Sequence, residues 1–286
     1  MRKAFSYLSC PLCRAPMEGD EKVLYCLGER RHSYDIAQSG YVNLLPPGKK
    51  SNAKTGDDGD MLRCRRAFLS GGYYDKISEK AAKAALSALG DRKDLVFTDA
   101  GCGDGYHALN IEGFFKKNGI SSLCIGLEAS KKGAEMASKL AKRRNSDSFF
   151  AAANIFDMPI ADNTCDCVFS MFAPVPDSEA HRILKDDGAL VVCSSGSRHL
   201  WEMREVLYGE PRLSPALDRT PEGFEHISHS SLQYDFNLDT PELINDLFTM
   251  TPFYWRCPKE GRERLMSLTT LTVSCETEYN VYKKII

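Results

Sequence analysis

The stretch VFTDAGCGDGYHALN, residues 96–110, restricts the possible folds of this chain more than any other segment. An apolar run ends at Asp99, glycines follow at positions 101, 103 and 105, and a helix-forming sequence begins directly afterwards. Glycine lets a chain turn sharply and lets its backbone approach a ligand where any Cβ would clash. A tight strand-to-helix turn explains the same glycines, so their spacing alone does not identify a ligand site.

From Asp94 onward, apolar strand-like segments alternate with helical ones. The predicted strands are LVFTDAG, LCIGLEAS, SFFAAANIF, CDCVFSMF and GALVVCSS, and the helical segments include KKGAEMASKLAKRRN and SEAHRILK. Strands and helices in this alternation predict an α/β fold with a doubly wound, mostly parallel sheet. After Gly196 the pattern is mixed.

The spacing G-x-G-x-G differs from the dinucleotide fingerprint G-x-G-x-x-G, which places a pyrophosphate at a helix N-terminus. The loop contains no Arg or Lys, whereas the carboxylate of Asp99 suits a cationic group. Glu128 ends the second strand, 23 residues after Gly105, where an acid in this topology binds a ribose diol. S-adenosylmethionine carries both an ammonium group and a ribose, so we expect this cofactor.

These features resemble the class I methyltransferase motif, in which the first-strand acid and the glycines hold the methionine part of S-adenosylmethionine. The resemblance implies cofactor contacts at Asp99, Gly101, Gly103, Gly105 and Glu128. Asn154 follows the third strand, where side chains of such enzymes approach the adenine; a solvated loop asparagine is the alternative.

The segment MFAP, residues 171–174, ends the fourth predicted strand. Ligands of doubly wound sheets bind at the carboxyl ends of the strands. Simple core packing of Met171 and Phe172 is the other interpretation.

A second motif lies near the N-terminus, where Cys10, Cys13, Cys26 and His32 form the pattern C-x2-C-x12-C-x5-H. Two closely spaced thiolates followed by a Cys/His pair are typical of a structural zinc site with four ligands. A region with so few large apolar residues needs metal binding to stabilise its fold. Unrelated cysteines or redox chemistry at Cys-Pro-Leu-Cys are the alternatives.

Composition is that of a globular protein, with 43% hydrophobic residues, 27% charged residues and a net charge of −2. The other eight of the eleven cysteines lie outside any ligand spacing, mostly in apolar stretches, as reduced cysteines of a cytoplasmic protein do. No apolar span is long enough for a membrane helix. We expect a zinc-binding module at 1–45, a linker at 46–60 and a methyltransferase domain at 61–286.

Together these modules resemble the bacterial 23S rRNA (guanine-N1)-methyltransferases of RlmA type, nearly from end to end. The resemblance is carried by CPLC, HSYDIAQSGYVNLLP, RRAFLSGGYY, DAGCGDGY, GLEASK, APVP, RHLWEM and TPFYWR. It implies zinc at the four ligands above, cofactor contacts at Tyr74, Gly103, Asp104 and His199, and a homodimer. The family commonly has three residues between the third cysteine and the histidine, whereas this chain has five, so the ligand loop must bulge before His32.

Guanine N1 lies on the Watson–Crick edge, so an enzyme of this type must bind an unpaired or extruded base. The sequence does not identify the group that accepts the N1 proton; Asp166 and Asp177 flank the predicted site, but surface carboxylates are the commoner explanation for both. Either RNA contact or a solvated face explains a cluster of basic side chains, namely Lys49, Lys50, Lys54, Arg63, Arg65 and Arg66. Phe253, Tyr254 and Trp255 are candidates for base stacking, with a core role expected for at least two of them.

Two other functions fit parts of this pattern. A small-molecule methyltransferase would use the zinc module for dimerisation or as a lid. A non-catalytic RNA- or ribosome-binding protein would retain a vestigial methyltransferase fold, although the intact acid–glycine loop and Glu128 oppose that reading.

Overall fold

The structure is a computed structural model that describes residues 2–46, 59–215 and 219–286. The N-terminal region contains a 3-10 helix, Arg2–Tyr7, and four short strands: β1 (Met17–Gly19), β2 (Val23–Cys26), β3 (Ser33–Asp35) and β4 (Val42–Asn43). The first three strands form a small antiparallel sheet in the order β1-β2-β3. Most of the predicted linker, and with it Lys49, Lys50 and Lys54, lies outside the described residues.

Two amphipathic helices follow, α1 (Gly59–Ser70) and α2 (Asp75–Leu89). Phe68 and Leu69 of α1 and Ile77 and Ala81 of α2 are buried in the same apolar core. The break predicted at Gly71-Gly72 is confirmed, because Gly72 has a φ of +76°, a left-handed conformation that ends a helix.

The rest of the chain alternates as predicted and ends in a long antiparallel pair of strands. Its elements are β5 (Asp94–Ala100), α3 (Tyr106–Lys117), β6 (Ser121–Glu128), α4 (Lys131–Arg143), β7 (Phe149–Ala152), β8 (Cys165–Met171), α5 (Asp177–Ile183), β9 (Leu184–Ser195), α6 (Trp201–Tyr208), β10 (Phe224–Leu238), α7 (Pro241–Thr249), α8 (Phe253–Arg256), α9 (Lys259–Met266) and β11 (Leu271–Lys284).

The large sheet has eight strands in the order β10-β11-β9-β8-β5-β6-β7-β4. All pairs from β9 to β4 are parallel, whereas β11 is antiparallel to both β9 and β10. This arrangement confirms the predicted doubly wound, mostly parallel sheet. The strand order reverses at β5, which lies between β6 and β8, and such a reversal opens a ligand-binding crevice at the carboxyl edge.

The N-terminal region is built into this sheet. Strand β4 pairs in parallel with β7, and the Leu44 amide donates to the Ala152 carbonyl at 2.8 Å. The Phe5 ring packs edge-on against Phe149 with a centroid separation of 5.9 Å. The side chain of Arg14 pairs with Asp157. The zinc-ligand region therefore shares one hydrophobic core with a face of the sheet.

The opposite face of the sheet is covered by helices. Phe97 of β5 lies edge-on between Phe115 and Phe169, with ring centroids 5.6 Å from each, and all three rings are fully buried. Full burial of one such side chain contributes about 2–3 kcal/mol. Among the residues described, no helix has the length and apolar character needed to cross a bilayer.

Candidate active site and metal centre

The glycine loop joins β5 to α3 with three positive φ angles, +86° at Gly101, +55° at Gly103 and +80° at Gly105. A Cβ built on Gly101 would lie 2.8 Å from the Cβ of Ala173, so the loop packs directly on the segment after β8. A Cβ on Gly105 would lie 2.8 Å from the Cβ of Ala137 in α4. The spacing G-x-G-x-G thus satisfies both backbone conformation and close packing, with Gly105 facing α4.

Glu128 fixes the conformation of this loop from the end of β6. One carboxylate oxygen accepts from the Gly103 amide at 2.9 Å and the other from the Ser130 amide at 2.8 Å. Asn154 lies beyond β7, where its Oδ1 accepts from the Phe156 amide at 3.1 Å in a local turn. The side chain of Asn154 is not brought to the cavity described next.

A cavity of about 610 Å³ opens at the carboxyl edge of β5, β8 and β9. This volume lies within the usual range of small-molecule sites, about 300–1,000 Å³. Helix α1 and the segment between α7 and α8 both contribute to its walls. Five of the predicted cofactor residues line it, namely Tyr74, Asp99, Gly101, Asp104 and His199.

Asp99 has no accessible surface, and neither of its carboxylate oxygens has a hydrogen-bond partner among the described residues. Burial, with a smaller contribution from the charge of Glu128, raises the pKa of Asp99 to about 7. A buried carboxylate without a partner is costly, and a cationic ligand group would relieve that cost. The ammonium group of S-adenosylmethionine is such a group, so the residues present fit this cofactor.

Asp104 is held from the other side by helix α1. The Arg66 Nε donates to Asp104 Oδ2 at 2.7 Å, and its Nη2 donates to the Asp104 carbonyl at 3.0 Å. The Arg66 side chain is only 20% exposed and its guanidinium is held in this ion pair, while contact of Arg66 with RNA stays a prediction. Arg65 also faces the loop, since its Nη1 lies 2.9 Å from where a Cβ on Gly103 would stand. Arg63 alone of these arginines remains largely exposed, beside Asp60.

Tyr74 and His199 form a hydrogen-bonded pair in the cavity wall. Burial lowers the pKa of His199 to about 4, so its imidazole is neutral. Its Nδ1 donates to the Glu276 carbonyl at 2.8 Å, and its Nε2 therefore accepts from the Tyr74 hydroxyl at 3.3 Å. The two residues are 125 positions apart, so the local sequence gives no indication of their contact.

His107 was missed by the sequence reasoning. It lies in the first turn of α3 and lines the cavity, and its Nδ1 is 2.8 Å from Ser78 Oγ. Burial lowers the pKa of His107 to about 3, so this imidazole is neutral as well. Its position two residues after Gly105 could have indicated a role in the site, because the first turn of this helix faces the crevice.

The two acids proposed to flank the site have other roles. Asp166, only 2% exposed, accepts from the Val96 amide at 2.8 Å and from Lys185 Nζ at 2.9 Å at the amino edge of the sheet. It stabilises strand starts far from the cavity. Asp177 accepts from Arg219 Nη2 at 2.8 Å. Arg219 lines the cavity and was also missed.

In the N-terminal region, the ligand atoms of Cys10, Cys13, Cys26 and His32 lie within 4.8 Å of one another. The His32 Nδ1 is 3.5 Å from the sulfurs of Cys10 and Cys26 and 3.6 Å from that of Cys13. Cys13 Sγ and Cys26 Sγ are 3.7 Å apart. Tetrahedral zinc requires about 3.8 Å between sulfurs and about 3.6 Å between sulfur and nitrogen. The four residues fit one zinc ion.

The loop before His32 accommodates its two additional residues. Strands β2 and β3 pair up to Tyr25↔Ser33, and the Cys26 amide donates to the His32 carbonyl at 3.0 Å. Residues 27–31 consequently bulge as one loop, as predicted. The His32 amide and the Tyr34 hydroxyl lie 3.3 Å and 3.2 Å from the sulfurs of Cys26 and Cys10, contacts of the kind that orient zinc ligands.

The fold and the site define a class I S-adenosylmethionine-dependent methyltransferase with a structural zinc centre. The family model described as RlmA, N-terminal matches residues 8–53, and the one described as Methyltransferase domain matches residues 98–192.

Relatives match over nearly the whole chain. A putative 23S rRNA (guanine-N(1)-)-methyltransferase of Bacillus subtilis is 30% identical over 96% of this chain and 96% of its own length. The 23S rRNA (guanine(748)-N(1))-methyltransferase of Streptomyces fradiae is 30% identical over 94% of this chain and 93% of its own. The chain belongs to the RlmA-type family of 23S rRNA (guanine-N1)-methyltransferases.

Proposed function

We propose that this protein transfers the methyl group of S-adenosylmethionine to N1 of a guanine in 23S rRNA. The observation that carries the proposal is the cavity at the strand-order reversal, where the unpartnered carboxylate of Asp99 lies beside the glycine loop. Family membership indicates that guanine is the nucleobase that receives the methyl group, since the relatives are named for this reaction.

The cofactor is assigned to the glycine-loop side of the cavity. When bound, S-adenosylmethionine supplies an electrophilic methyl group on its sulfonium. Asp99 is positioned to pair with the ammonium group, and Glu128 to orient the ribose. Tyr74 and His199 would close the methionine end of the site through their hydrogen bond. Asn154 remains a proposed neighbour of the adenine.

The glycine loop offers no positive charge that would bind a phosphate. Its shape is set by Gly103, Asp104 and the adjacent glycines. Arg66 neutralises Asp104, so the loop presents mainly backbone groups to the cofactor. This arrangement favours a sulfonium cofactor over a dinucleotide, whose pyrophosphate binds best at an unobstructed helix N-terminus.

The acceptor guanine enters from the remaining part of the cavity, which Pro174, Arg219 and Phe253 line. N1 must lose its proton during methyl transfer, and much of the rate enhancement comes from holding the base in line with the methyl group. Both ring nitrogens of His199 are engaged, by the Glu276 carbonyl and the Tyr74 hydroxyl, and Asp99 is assigned to the ammonium group. The neutral imidazole of His107 also lines the cavity, and it can accept the N1 proton only if it comes within hydrogen-bond reach of N1.

We infer the following organisation around this activity: a zinc-binding module at 1–45, a linker at 46–60 and a methyltransferase domain at 61–286. The zinc module, which packs on the sheet, would present RNA to the cavity. A homodimer is proposed from the family resemblance. A cytoplasmic location is proposed because none of the eleven cysteines forms a disulfide and the substrate is ribosomal.

Methylation at N1 blocks Watson–Crick pairing, so the modified guanine stops reverse transcriptase. Deletion of the gene should remove one such stop from the large-subunit RNA, and the wild-type gene on a plasmid should restore it. An unchanged stop pattern would contradict the proposal, and methylation of a metabolite with no labelling of rRNA would favour a small-molecule substrate.

A further inference from the structure

Phe172 directly follows β8 and combines two features that a core residue rarely has. Its φ is +55°, in the left-handed region that non-glycine residues enter only at an energetic cost. Its side chain is nevertheless 41% exposed, whereas that of Met171 is 5% exposed. Core packing therefore explains Met171 but not Phe172. Such strain persists at functional sites when the surrounding structure enforces it.

The backbone on both sides of Phe172 is fixed by hydrogen bonds. The Phe172 amide donates to the Cys193 carbonyl at 2.9 Å, which holds the residue at the carboxyl edge of the sheet. The Ser170 hydroxyl donates to the Ala173 carbonyl at 2.9 Å. Ala173 in turn packs on Gly101 of the cofactor loop. The phenyl ring is thus placed rigidly beside the proposed cofactor site.

Three other rings lie near the Phe172 ring. Its centroid lies 5.9 Å from that of His107, 6.1 Å from that of His199 and 6.4 Å from that of Tyr74. All four residues line the cavity. Because the neighbours are rings at van der Waals range, the exposed part of Phe172 is a flat, uncharged surface that faces the cavity.

We propose that Phe172 is the platform on which the acceptor guanine stacks for methyl transfer, an inference that rests on the proposed function. A purine base has an extended π-face and stacks favourably on aromatic side chains. Tyr74 and His199, the proposed contacts of the methionine end, lie next to the ring, so a base stacked there is adjacent to the transferred methyl group. Stacking fixes the plane of the base, while polar groups of the cavity select its N1 edge.

The test compares Phe172→Leu, Phe172→Tyr and Phe114→Leu in methyl transfer to unmodified 23S rRNA. Leucine keeps an unbranched Cβ and hence the same backbone strain, but it removes the π-face. We expect Phe172→Leu to lower kcat/KM for rRNA about 5- to 150-fold, as for other stacked bases, and Phe172→Tyr to stay within about threefold. Phe114→Leu is the matched control, because Phe114 lies near the far end of α3, away from the cavity.

The dissociation constant for S-adenosylmethionine, measured by calorimetry, should be unchanged in Phe172→Leu, which also shows that the variant is folded. If Phe172→Leu were as active as Phe114→Leu, or if it weakened cofactor binding by the same factor as catalysis, the stacking role would be refuted. A wild-type protein that labels no rRNA would instead refute the proposed function itself, and the stacking inference with it.

Discussion

The ionisation of Asp99 is predicted to control the affinity for S-adenosylmethionine. Burial raises the pKa of this carboxyl from 3.8 to about 7 in the cofactor-free protein. The cofactor's ammonium group favours the ionised carboxylate, so the pKa in the complex lies below that value. Below about pH 7, binding must therefore release a proton from Asp99.

The size of the effect follows from the ionised fraction of Asp99. With a pKa of about 7, this fraction is about one half at pH 7 and about 3% at pH 5.5. Affinity at pH 5.5 is therefore expected to be about 15-fold weaker than at pH 7, equivalent to about 1.6 kcal/mol. The cofactor's own amino group stays charged over this range, since an α-amino pKa is about 7.7–8.0.

The stability of the cofactor-free protein changes with pH in the direction opposite to the cofactor affinity. Because the folded-state pKa of Asp99 is raised, the native state binds more protons than the unfolded chain between about pH 4 and pH 7. The contribution of Asp99 to stability is thus fully present below about pH 4 and is lost as the pH rises through 7. Affinity for the cofactor and intrinsic stability should therefore change in opposite directions.

Isothermal titration calorimetry at pH 5.5, 6.25 and 7.0, in buffers of different ionisation enthalpy, measures both the affinity and the proton release. The wild type should release close to one proton at pH 5.5. Asp99→Asn should bind more weakly at pH 7 and show little pH dependence. A wild-type affinity that is flat across this range, or an Asp99→Asn variant with the wild-type slope, would refute the assigned role.

Two further perturbations address the metal centre and the loop. Cys26→Ala should reduce bound zinc from about one ion per chain to near zero, measured by atomic absorption, and lower the thermal midpoint; full zinc occupancy would contradict the ligand set. Arg66→Met should lower the free energy of unfolding by about 3 kcal/mol, measured by urea denaturation, because it leaves Asp104 buried and unpaired. The double variant Arg66→Met/Asp104→Asn should recover most of this loss, and simple additivity of the two changes would show that the pair is not coupled.

Much of the fold was predictable because local patterns and connection rules suffice for a parallel sheet. The apolar strands, the glycine turn and the pair Gly71-Gly72 each have a strong local signal. The insertion of β4 beside β7 was not predicted, because a two-residue strand carries almost no periodicity. The pairing of β4 with β7 depends on packing of the zinc module against the sheet, and this packing joins segments that are distant in sequence.

The candidate site was predictable where one short motif builds it and not where distant segments meet. The four zinc ligands and the acid–glycine loop have fixed spacings that reflect metal and backbone geometry. For Arg66 the sequence left RNA contact and a solvated face open, because only its charge is visible there, whereas its partner Asp104 is 38 positions away. The conformation of Phe172 likewise had no signal, since left-handed backbone at a non-glycine residue is imposed by its surroundings.

Transfer of labelled methyl groups measures N1 methylation of a guanine in 23S rRNA without an intermediate step. Purified protein is incubated with labelled S-adenosylmethionine and 23S rRNA from a strain that lacks the gene, and the RNA is then digested to nucleosides. A single labelled product, 1-methylguanosine, is expected at close to one per RNA molecule. Label in another nucleoside, or rRNA that stays unlabelled while the protein binds the cofactor, would contradict the proposed function.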